Sequence, residues 1–288
     1  MISAKDVLTN PHFCPMPWTG LMYNFDGSVK NCIRSAGSIG NIKHHTIEQI
    51  LHGPKNRNKQ FEILNNRPVD TCEPCKTLEG NKSGYDIISD RIFYIKEHRH
   101  VPLSTYQYGQ HNLRSIDVRW SNLCNFACVY CGPEFSSQWA SERKQWAIVP
   151  ENDQQQRFRQ YIFDSAEQLQ HVYLAGGEPL LMKENLELLA LLKKVNPEVN
   201  LRINTNLSKT DTKIFDLVCE FKNVHWTVSV ESLEQEFEYI RYGGNWADFL
   251  DNLRRIRQLD HRITFNMLWF LLNYRSVFDC VDFLQQQG

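Results

Sequence analysis

Residues 119–133 read Arg-Trp-Ser-Asn-Leu-Cys-Asn-Phe-Ala-Cys-Val-Tyr-Cys-Gly-Pro and contain three cysteines, Cys124, Cys128 and Cys131. The run follows a strand-like stretch, Ser115 to Trp120. Three thiolates can hold three corners of a cubane iron–sulfur cluster and leave the fourth iron open to a substrate or cosubstrate. A zinc site would need a fourth protein ligand, and no further Cys or His follows within this loop. The spacing therefore favours an open-site cluster, and with it an enzyme.

The bulk composition indicates a globular protein without an electrostatic signature for nucleic acid. The chain has 288 residues, of which 42% are hydrophobic, and a formal net charge of −1. The longest apolar run, Met267 to Leu272, is too short to span a bilayer, and the N-terminus lacks the apolar core of a signal peptide. We therefore expect a cytoplasmic protein that binds neither membrane nor, in bulk, RNA or DNA.

Nine cysteines is a high number for a reducing compartment, where disulfides do not persist. Metal or cluster ligation explains the count best. Cys219 and Cys280 stand alone in helix-like segments, which predicts that both are ordinary core thiols. The other seven occupy patterned positions: Cys14, Cys32, Cys72, Cys75, Cys124, Cys128 and Cys131.

Strand and helix patterns alternate from Ser115 onward, which predicts a parallel sheet. The expected strands are Ser115 to Trp120, His171 to Leu174, Leu201 to Thr205, Val224 to Val230 and Ile263 to Phe270. The expected helices are Lys183 to Lys194, Lys213 to Phe221, Trp246 to Leu259 and Val277 to Gln287. A barrel and an open doubly wound sheet both fit, and both bind ligands in the loops after the strands. Gly288 suits a helix C′ residue ahead of a sixth strand.

The region from Met1 to about Arg114 is loop-rich by its sequence. It shows a hairpin signal at Asp26-Gly27 and a helix start at the capping box Thr46-Ile-Glu-Gln49. This is too little periodic structure for a large core, so metal ligation would add stability. Four cysteines suit a fully ligated site, and their spacing alone is compatible with zinc or an iron–sulfur cluster.

Two motifs together resemble the radical S-adenosylmethionine (radical SAM) superfamily. They are the Cys-x3-Cys-x2-Cys run after the first strand and Gly176-Gly-Glu-Pro179 after the second, and the resemblance covers Ser115 to Gly288. It implies an α/β fold, a partial (β/α) barrel of about five βα units. In that family the open iron chelates the methionine moiety of S-adenosylmethionine (SAM), and reductive cleavage yields a 5′-deoxyadenosyl radical that abstracts hydrogen from a substrate carbon.

The resemblance also implies the cofactor contacts. Glu178, with the backbone of Gly176, Gly177 and Pro179, is expected at the methionine amine, because the glycines allow close approach and the carboxylate accepts hydrogen bonds. Without the cysteines, these residues would indicate only a Gly-Gly turn with a solvated Glu. Tyr130 lies where the family packs an aromatic ring on adenine.

Polar residues after the third and fourth strands are expected to hold the carboxylate and ribose of SAM. These are Asn206, Ser229 and Glu231, although Glu231-Ser232 stands where the family has Asp-Gly. Arg241 is expected either to face the methionine carboxylate or to cap a loop. The fifth strand, including Trp269 and Phe270, is expected to line the barrel interior and one wall of the adenine site. No catalytic side chain is assigned.

The N-terminal cysteines resemble the opening half of SPASM and twitch modules, through Cys14-x12-Gly27-x4-Cys32 and the later Cys72-x2-Cys75. The resemblance implies one auxiliary [4Fe-4S] cluster held by four cysteines. Here the module precedes the barrel, and the later cysteines of a full SPASM domain are absent. The expected domains are an auxiliary module with a connecting helix over residues 1–110 and a radical SAM core over residues 111–288.

The expected function is that of a radical SAM oxidoreductase whose substrate is a peptide or protein, supplied with electrons by an external donor such as flavodoxin or ferredoxin. Alternatives within the enzyme class are a small-molecule or RNA substrate. Two further alternatives are a non-catalytic electron-transfer protein with two clusters and a zinc-stapled binding protein.

Overall fold

The computed structural model describes residues 10–80, 89–145 and 153–286. The chain divides into two compact units, which are described separately. The N-terminal unit comprises Met1–Asp117 and Glu151–Leu169, and the C-terminal unit comprises Val118–Pro150 and Gln170–Gly288.

The elements in chain order are α1 (Met16–Thr19), β1 (Gly20–Tyr23), β2 (Ser28–Lys30), β3 (Gly40–Asn41), α2 (Ile47–Leu51), α3 (Pro54–Leu64), α4 (Glu73–Gly80), α5 (Asp90–Glu97), β4 (Ser115–Val118), β5 (Ala127–Cys128), α6 (Ser137–Glu142), α7 (Asp153–Asp164), β6 (His171–Leu174), α8 (Lys183–Val195), β7 (Asn200–Thr205), α9 (Lys213–Cys219), β8 (Val224–Ser229), α10 (Glu234–Ile240), β9 (Arg241–Tyr242), α11 (Trp246–Arg257), β10 (Arg262–Asn266) and α12 (Val277–Gln286). Short 3-10 turns occur at Asp70–Cys72, Leu103–Thr105, Ala166–Gln168 and Pro179–Leu181.

The N-terminal unit is built on the antiparallel strands β1, β2 and β3. The predicted hairpin is confirmed: Gly27 turns the chain with a φ of +87°, and Asp26 Oδ1 accepts a hydrogen bond from the Ser28 amide at 2.8 Å. The predicted capping box is also confirmed, because Thr46 and Gln49 bond reciprocally at the start of α2.

The N-terminal unit contains more helix than its sequence predicts, since α3, α4, α5 and α7 all belong to it. Its core is aromatic: the Tyr106 ring meets Phe13 and Trp18 edge to face at centroid distances of 5.3 and 5.7 Å. Helix α7 packs on β1 through Phe158 and Tyr23, whose centroids are 4.6 Å apart. Helix α7 begins at Asp153, within the polar run 151–156, and residues 151 and 152 lie outside the described residues.

The C-terminal unit contains four of the five predicted strands, which pair in parallel in the order β10-β8-β7-β6. Helices α8, α9 and α11 connect or follow these strands, and the predicted bounds of β6 are confirmed. Among the described residues the sheet is open, with β10 at its edge. This arrangement confirms the expected α/β class and the partial barrel.

The segment after β10 differs from the prediction. The strand ends at Asn266, because Asn273 folds the following residues into a turn: its Nδ2 donates to the Leu268 carbonyl at 2.7 Å, and its Oδ1 accepts from the Phe270 amide at 2.9 Å. Trp269 is 70% exposed. The expectation that Trp269 lines the barrel interior is therefore wrong.

The isolated cysteines have different surroundings. Cys280 is fully buried in α12, which confirms it as a core thiol, whereas Cys219 at the end of α9 is half-buried. The expectations for the first nine residues and for Gly288 concern positions outside the described residues.

Candidate active site and auxiliary cysteine site

Backbone hydrogen bonds hold all three cysteines of the loop after β4. The Cys131 amide donates to the Cys128 carbonyl at 2.9 Å, and Cys128 pairs with Arg241 where β5 meets β9. Ser137, in the first turn of α6, fixes Cys124 from both sides, since its Oγ accepts from the Cys124 amide at 3.1 Å and donates to the Cys124 carbonyl at 2.9 Å. The loop therefore presents its three thiols from a defined backbone.

The surroundings of these thiols fit a cluster. The Phe126 amide and Asn206 Nδ2 donate towards Cys124 Sγ at 3.5 and 3.9 Å, and such donors stabilise negatively charged sulfur ligands. Burial raises the pKa of Cys124 to about 12, so iron would displace a proton on binding. The thiol of Cys131 hydrogen-bonds to Cys128, which lowers the pKa of Cys128 and raises that of Cys131.

The loop after β6 packs directly on the backbone of the cysteine loop. The Gly177 amide donates to the Ser121 carbonyl at 3.3 Å, and the Glu178 amide donates to the Leu123 carbonyl at 2.7 Å. A Cβ on Gly177 would lie 2.1 Å from that Leu123 oxygen, so only glycine permits this approach. Gly176 has a φ of +128°, which also favours glycine. The two motifs predicted from the sequence are thus in contact.

Glu178 is fully buried and joins this loop to the end of β7. Its Oε1 accepts from Thr205 Oγ1 at 2.7 Å and from the Leu180 amide at 3.2 Å, while its Oε2 accepts from the Asn206 amide at 2.7 Å. Burial raises the pKa of Glu178 to about 7 despite these hydrogen bonds. A carboxylate oxygen can accept two hydrogen bonds, so Oε2 retains acceptor capacity for a further donor.

Tyr130, Glu231 and Arg241 form a hydrogen-bonded triad in which Glu231 and Arg241 are buried and Tyr130 is half-buried. Arg241 Nη1 donates to Glu231 Oε2 at 2.8 Å and to the Tyr130 hydroxyl at 2.6 Å, and that hydroxyl donates to Glu231 Oε1 at 3.0 Å. The Arg241 and Glu231 side chains are only 4% and 1% exposed. Phe270 meets the Tyr130 ring edge to face at 5.8 Å. This network sets the position of Tyr130, while its contact with adenine stays a prediction.

Asn206 and Ser229 lie at neighbouring strand ends. Asn206, directly after β7, donates through Nδ2 to Asn125 Oδ1 at 3.1 Å and so reaches the cysteine loop. Ser229 is the last residue of β8 and is half-buried beside Asn266 of β10. The structure thus connects Asn206 with the cysteine loop and leaves Ser229 at the adjacent strand end.

Pro179 starts the 3-10 turn that follows Glu178. Its carbonyl accepts from Asn185 Nδ2 at 2.9 Å, and Asn185 Oδ1 accepts from the Trp120 indole at 2.8 Å. Sequence reasoning missed the supporting polar residues Asn125, Ser137, Asn185 and Thr205. Ser136, the N-cap of α6, and Ser137, its first residue, were the available signal, because serine favours helix N-termini.

The four N-terminal cysteines line one cavity of about 230 Å³ in the N-terminal unit. Cys14 precedes α1, Cys32 follows β2, Cys72 ends a 3-10 turn, and Cys75 lies in α4. Among the described residues, no three His, Cys, Asp or Glu side chains converge tightly enough to hold a single metal ion. Four thiols around a cavity are the donor set of a four-cysteine cluster, so these residues fit that group.

Burial and the repulsion between neighbouring thiolates change the pKa values of these cysteines. Burial raises the pKa of Cys32 to about 12 and also raises the pKa of Cys14, and the neighbouring cysteines add to both shifts. The pKa values of Cys72 and Cys75 are also raised, mainly by burial. Iron binding would therefore displace protons here as well.

Helix α3 holds two of these cysteine loops through polar side chains that sequence reasoning missed. Asn56 Nδ2 donates to the Pro17 carbonyl at 3.1 Å, its Oδ1 accepts from Asn31 Nδ2 at 2.9 Å, and Gln60 Nε2 donates to the same Pro17 carbonyl at 3.0 Å. Pro17 lies three residues after Cys14, and Asn31 precedes Cys32. The only signal is the spacing of polar residues at 56, 59 and 60 on one helix face.

Two family models match the chain. The radical SAM superfamily model matches residues 118–284, and the SPASM model, an iron–sulfur cluster-binding domain, matches residues 14–76. Together they imply a SAM-binding [4Fe-4S] cluster, an auxiliary iron–sulfur cluster and SAM as cofactors. No helix among the described residues combines the length and apolar character needed to cross a membrane.

The curated relatives include GTP 3′,8-cyclases. That of Campylobacter lari is 23% identical over 145 residues, which cover 50% of this chain and 42% of the relative. That of Sulfurimonas denitrificans is 23% identical over 173 residues, covering 57% and 50% respectively. The chain thus spans about half the length of these relatives or less.

Among solved structures, SuiB of Streptococcus suis bound to the precursor peptide SuiA has a TM-score of 0.47 and 12% identity, covering 83% of this chain and 52% of that one. SuiB bound to SAM has a TM-score of 0.45 and 14% identity, covering 80% and 53%. The superfamily model spans more than half of the chain. The chain therefore belongs to the radical SAM superfamily.

Proposed function

We propose that the chain carries out reductive cleavage of SAM and hydrogen abstraction from a substrate. When bound, a cluster with one open iron supplies the electron that breaks the C5′–S bond of SAM, giving methionine and a 5′-deoxyadenosyl radical, which takes a hydrogen atom from substrate carbon. The observation that carries the proposal is the contact of the Gly177-Glu178 loop with the Leu123 carbonyl, one residue before Cys124.

The residue roles follow from this contact. Cys124, Cys128 and Cys131 hold the cluster. Gly176, Gly177, Glu178 and Pro179 shape the methionine site, where Glu178 Oε2 retains acceptor capacity for the ammonium group. Asn206 links that site to the cysteine loop.

The nucleoside contacts are proposed for Tyr130, Ser229 and Glu231. Arg241 fixes Tyr130 and Glu231 relative to each other through the hydrogen-bonded triad. A ring and a carboxylate held in this way are pre-organised, which lowers the entropy lost when a ligand binds.

Cys14, Cys32, Cys72 and Cys75 are proposed to saturate the auxiliary cluster, which then relays electrons or stabilises its module without gripping substrate. The proposed domains are residues 1–110 for this module and 111–288 for the radical SAM core. The proposed electron source is an external donor such as flavodoxin or ferredoxin.

Iron and sulfide analysis of anaerobically reconstituted protein tests the two cluster sites. Wild type should hold about eight irons, and alanine at Cys124, Cys128 and Cys131, or at the four auxiliary cysteines, should each leave about four. Cys219→Ala is the matched control and should keep the full content, since Cys219 lies in neither motif. A colourless protein with zinc would contradict both sites.

Calorimetry with SAM separates an enzyme from a non-catalytic electron carrier. Wild type should bind SAM, and the variant lacking Cys124, Cys128 and Cys131 should not, because the open iron is the main anchor for the methionine moiety. Wild type that holds about eight irons yet binds no SAM would favour the electron carrier.

The proposed substrate is a peptide or protein, supported by the SPASM match at residues 14–76. A nucleotide substrate is the second candidate, favoured by the relatives named GTP 3′,8-cyclase. Addition of GTP to the reduced protein distinguishes them. GTP consumption together with a GTP-dependent rise in 5′-deoxyadenosine would establish the nucleotide, whereas no change in either is expected for a peptide-modifying enzyme.

A further inference from the structure

The buried face of α3 is polar, whereas the inward face of a helix is ordinarily apolar. Asn56, Lys59 and Gln60 are 0%, 6% and 1% exposed and share this face with Ile63. Asn56 and Gln60 are accounted for, because they hold the loops that carry Cys14 and Cys32. Lys59 needs a separate explanation.

Among the residues that the structure describes, Lys59 is a buried cation with no carboxylate beside it. Its Nζ donates to Ser35 Oγ at 2.9 Å, and Ser35 is itself buried. Within residues 10–80, 89–145 and 153–286, Lys59 forms no ion pair with Asp or Glu within 4.0 Å. A buried ammonium without an opposite charge is strongly disfavoured.

Lys59 reaches the auxiliary site through Ser35, which lines the same cavity as the four cysteines and whose amide donates to the Cys32 carbonyl at 3.3 Å. The opposite charge available to Lys59 comes from those cysteines. Burial lowers the pKa of Lys59, and Cys72, Cys32 and Cys14 act against that shift by favouring its charged form. Lys30 works in the other direction and lowers the pKa further, since its own Nζ donates to the Ser35 carbonyl at 3.0 Å. Two ammonium groups therefore converge on Ser35 beside the cysteines.

Each arginine and lysine side chain that lines the cavity has a carboxylate within 4.0 Å. Arg34 Nε lies 2.6 Å from Asp90 Oδ2, and Arg91 Nη2 lies 2.6 Å from Glu79 Oε2. Lys76 is also near Glu79, at 3.9 Å. Lys59, which contacts the cavity lining through Ser35, is by contrast a buried cation with no carboxylate within 4.0 Å among the described residues.

A four-cysteine [4Fe-4S] cluster matches this charge. Four thiolates give the oxidised cluster a net double negative charge, and reduction adds a third. A fixed cation in a region of low dielectric stabilises the more negative state more strongly than the less negative one.

We propose that Lys59 is the counter-charge of the auxiliary cluster and raises its reduction potential. The inference rests on the proposed auxiliary cluster. Lys59 is a positioning and tuning residue: it ligates no iron and acts through the field at the cysteines, so that the auxiliary cluster accepts an electron more readily.

The test is a redox titration, followed by electron paramagnetic resonance, of the full-length chain with alanine at Cys124, Cys128 and Cys131. This background isolates the auxiliary signal. Lys59→Met removes the charge at similar length, Lys59→Arg keeps it, and Lys55→Met makes the same change at an exposed position of the same helix.

Lys59→Met is expected to lower the ratio of reduced to oxidised cluster about tenfold at a fixed potential, which corresponds to about 59 mV for a one-electron couple. Lys59→Arg and Lys55→Met should remain within about threefold of the unsubstituted background, which is about 28 mV on the same scale. If Lys59→Met loses its iron while Lys59→Arg retains it, the need for a positive charge is also supported.

Three outcomes would overturn the inference. They are a fully loaded Lys59→Met cluster with an unchanged potential, an equal shift in Lys59→Met and Lys55→Met, and iron loss from Lys59→Arg as complete as from Lys59→Met. Zinc, or no iron, in the background without any Lys59 change would instead show that the auxiliary cluster itself is absent, which is failure of the proposed function.

Discussion

Replacing Gly177 by alanine is expected to weaken cluster assembly at Cys124, Cys128 and Cys131 while leaving the auxiliary site loaded with iron. The new Cβ would lie 2.1 Å from the Leu123 carbonyl oxygen and 2.5 Å from its carbon. Real Cβ atoms essentially never approach closer than 3.0 Å, so these backbones must separate by about 0.9 Å. Both partners are backbone atoms, and no side-chain rotation can relieve the contact.

The separation has a cost that can be worked out from the contacts. It strains or breaks the 2.7 Å hydrogen bond from the Glu178 amide to the same Leu123 oxygen, worth about 1 kcal/mol net. Overpacking adds about 1–3 kcal/mol. A total of about 2–4 kcal/mol would lower the constant for cluster assembly roughly 30- to 700-fold.

Iron content measured against added iron provides the assay. Gly177→Ala should hold about four irons where wild type holds about eight, and should approach wild type only at much higher iron. Gly80→Ala is the control, because a Cβ at Gly80 meets nothing within 4 Å. If Gly177→Ala loads like Gly80→Ala and binds SAM equally well, the packing of the two loops does not position Cys124.

Three further predictions concern buried charges. Arg241→Met leaves Glu231 buried without its cation, so it should lower the free energy of unfolding by about 3–5 kcal/mol. The double variant Arg241→Met/Glu231→Gln should lose less stability than the two single variants combined. Additive losses in denaturant titrations would contradict the pairing of these residues. Glu178→Gln replaces one acceptor oxygen with an amide donor that faces Thr205 or a backbone amide. This change should lower the free energy of unfolding by about 1–3 kcal/mol and weaken SAM binding in calorimetry. Wild-type affinity for SAM would show that the carboxylate is dispensable. Burial lowers the pKa of His111 from 6.5 to about 4, so on acidification the unfolded chain binds the proton before the folded chain does. The contribution of neutral His111 to the free energy of unfolding is therefore complete above about pH 6.5. It declines by up to about 3 kcal/mol as the pH falls to about 4. The difference in the free energy of unfolding between wild type and His111→Gln should follow this pH dependence across that range. A difference that does not change with pH would refute the lowered pKa of His111.

Local patterns were enough to predict much of the fold. The capping box at Thr46 and the turn at Gly27 depend on neighbouring residues, and both appear as expected. The alternation of half-buried and buried residues in β6 and the spacing of the cysteines are also local features. The polar start of helix α7, Asp-Gln-Gln-Gln-Arg, is compatible from its sequence with a connector or a helix start, because it carries no apolar periodicity.

Long-range polar contacts could not be predicted in the same way. The hydrogen bond that Tyr130 donates to Glu231 and the one that it accepts from Arg241 join residues 101 and 111 positions apart, so no short window of sequence contains the triad. The polar face of α3 can be interpreted only beside Pro17 of α1 and Asn31 after β2, which are distant from it in sequence. Trp269 was misplaced because Asn273 forms a turn where the apolar run suggested a continuing strand.

The most direct measurement is the yield of 5′-deoxyadenosine from SAM in the presence of dithionite, compared between wild type, the alanine variant at Cys124, Cys128 and Cys131, and Cys219→Ala. The expected result is nucleoside formation by wild type and Cys219→Ala and none above background by the triple variant, which still holds about four irons. An unchanged yield from the triple variant, or no nucleoside from fully loaded wild type that binds SAM, would contradict the assignment of these three cysteines to the source of the radical.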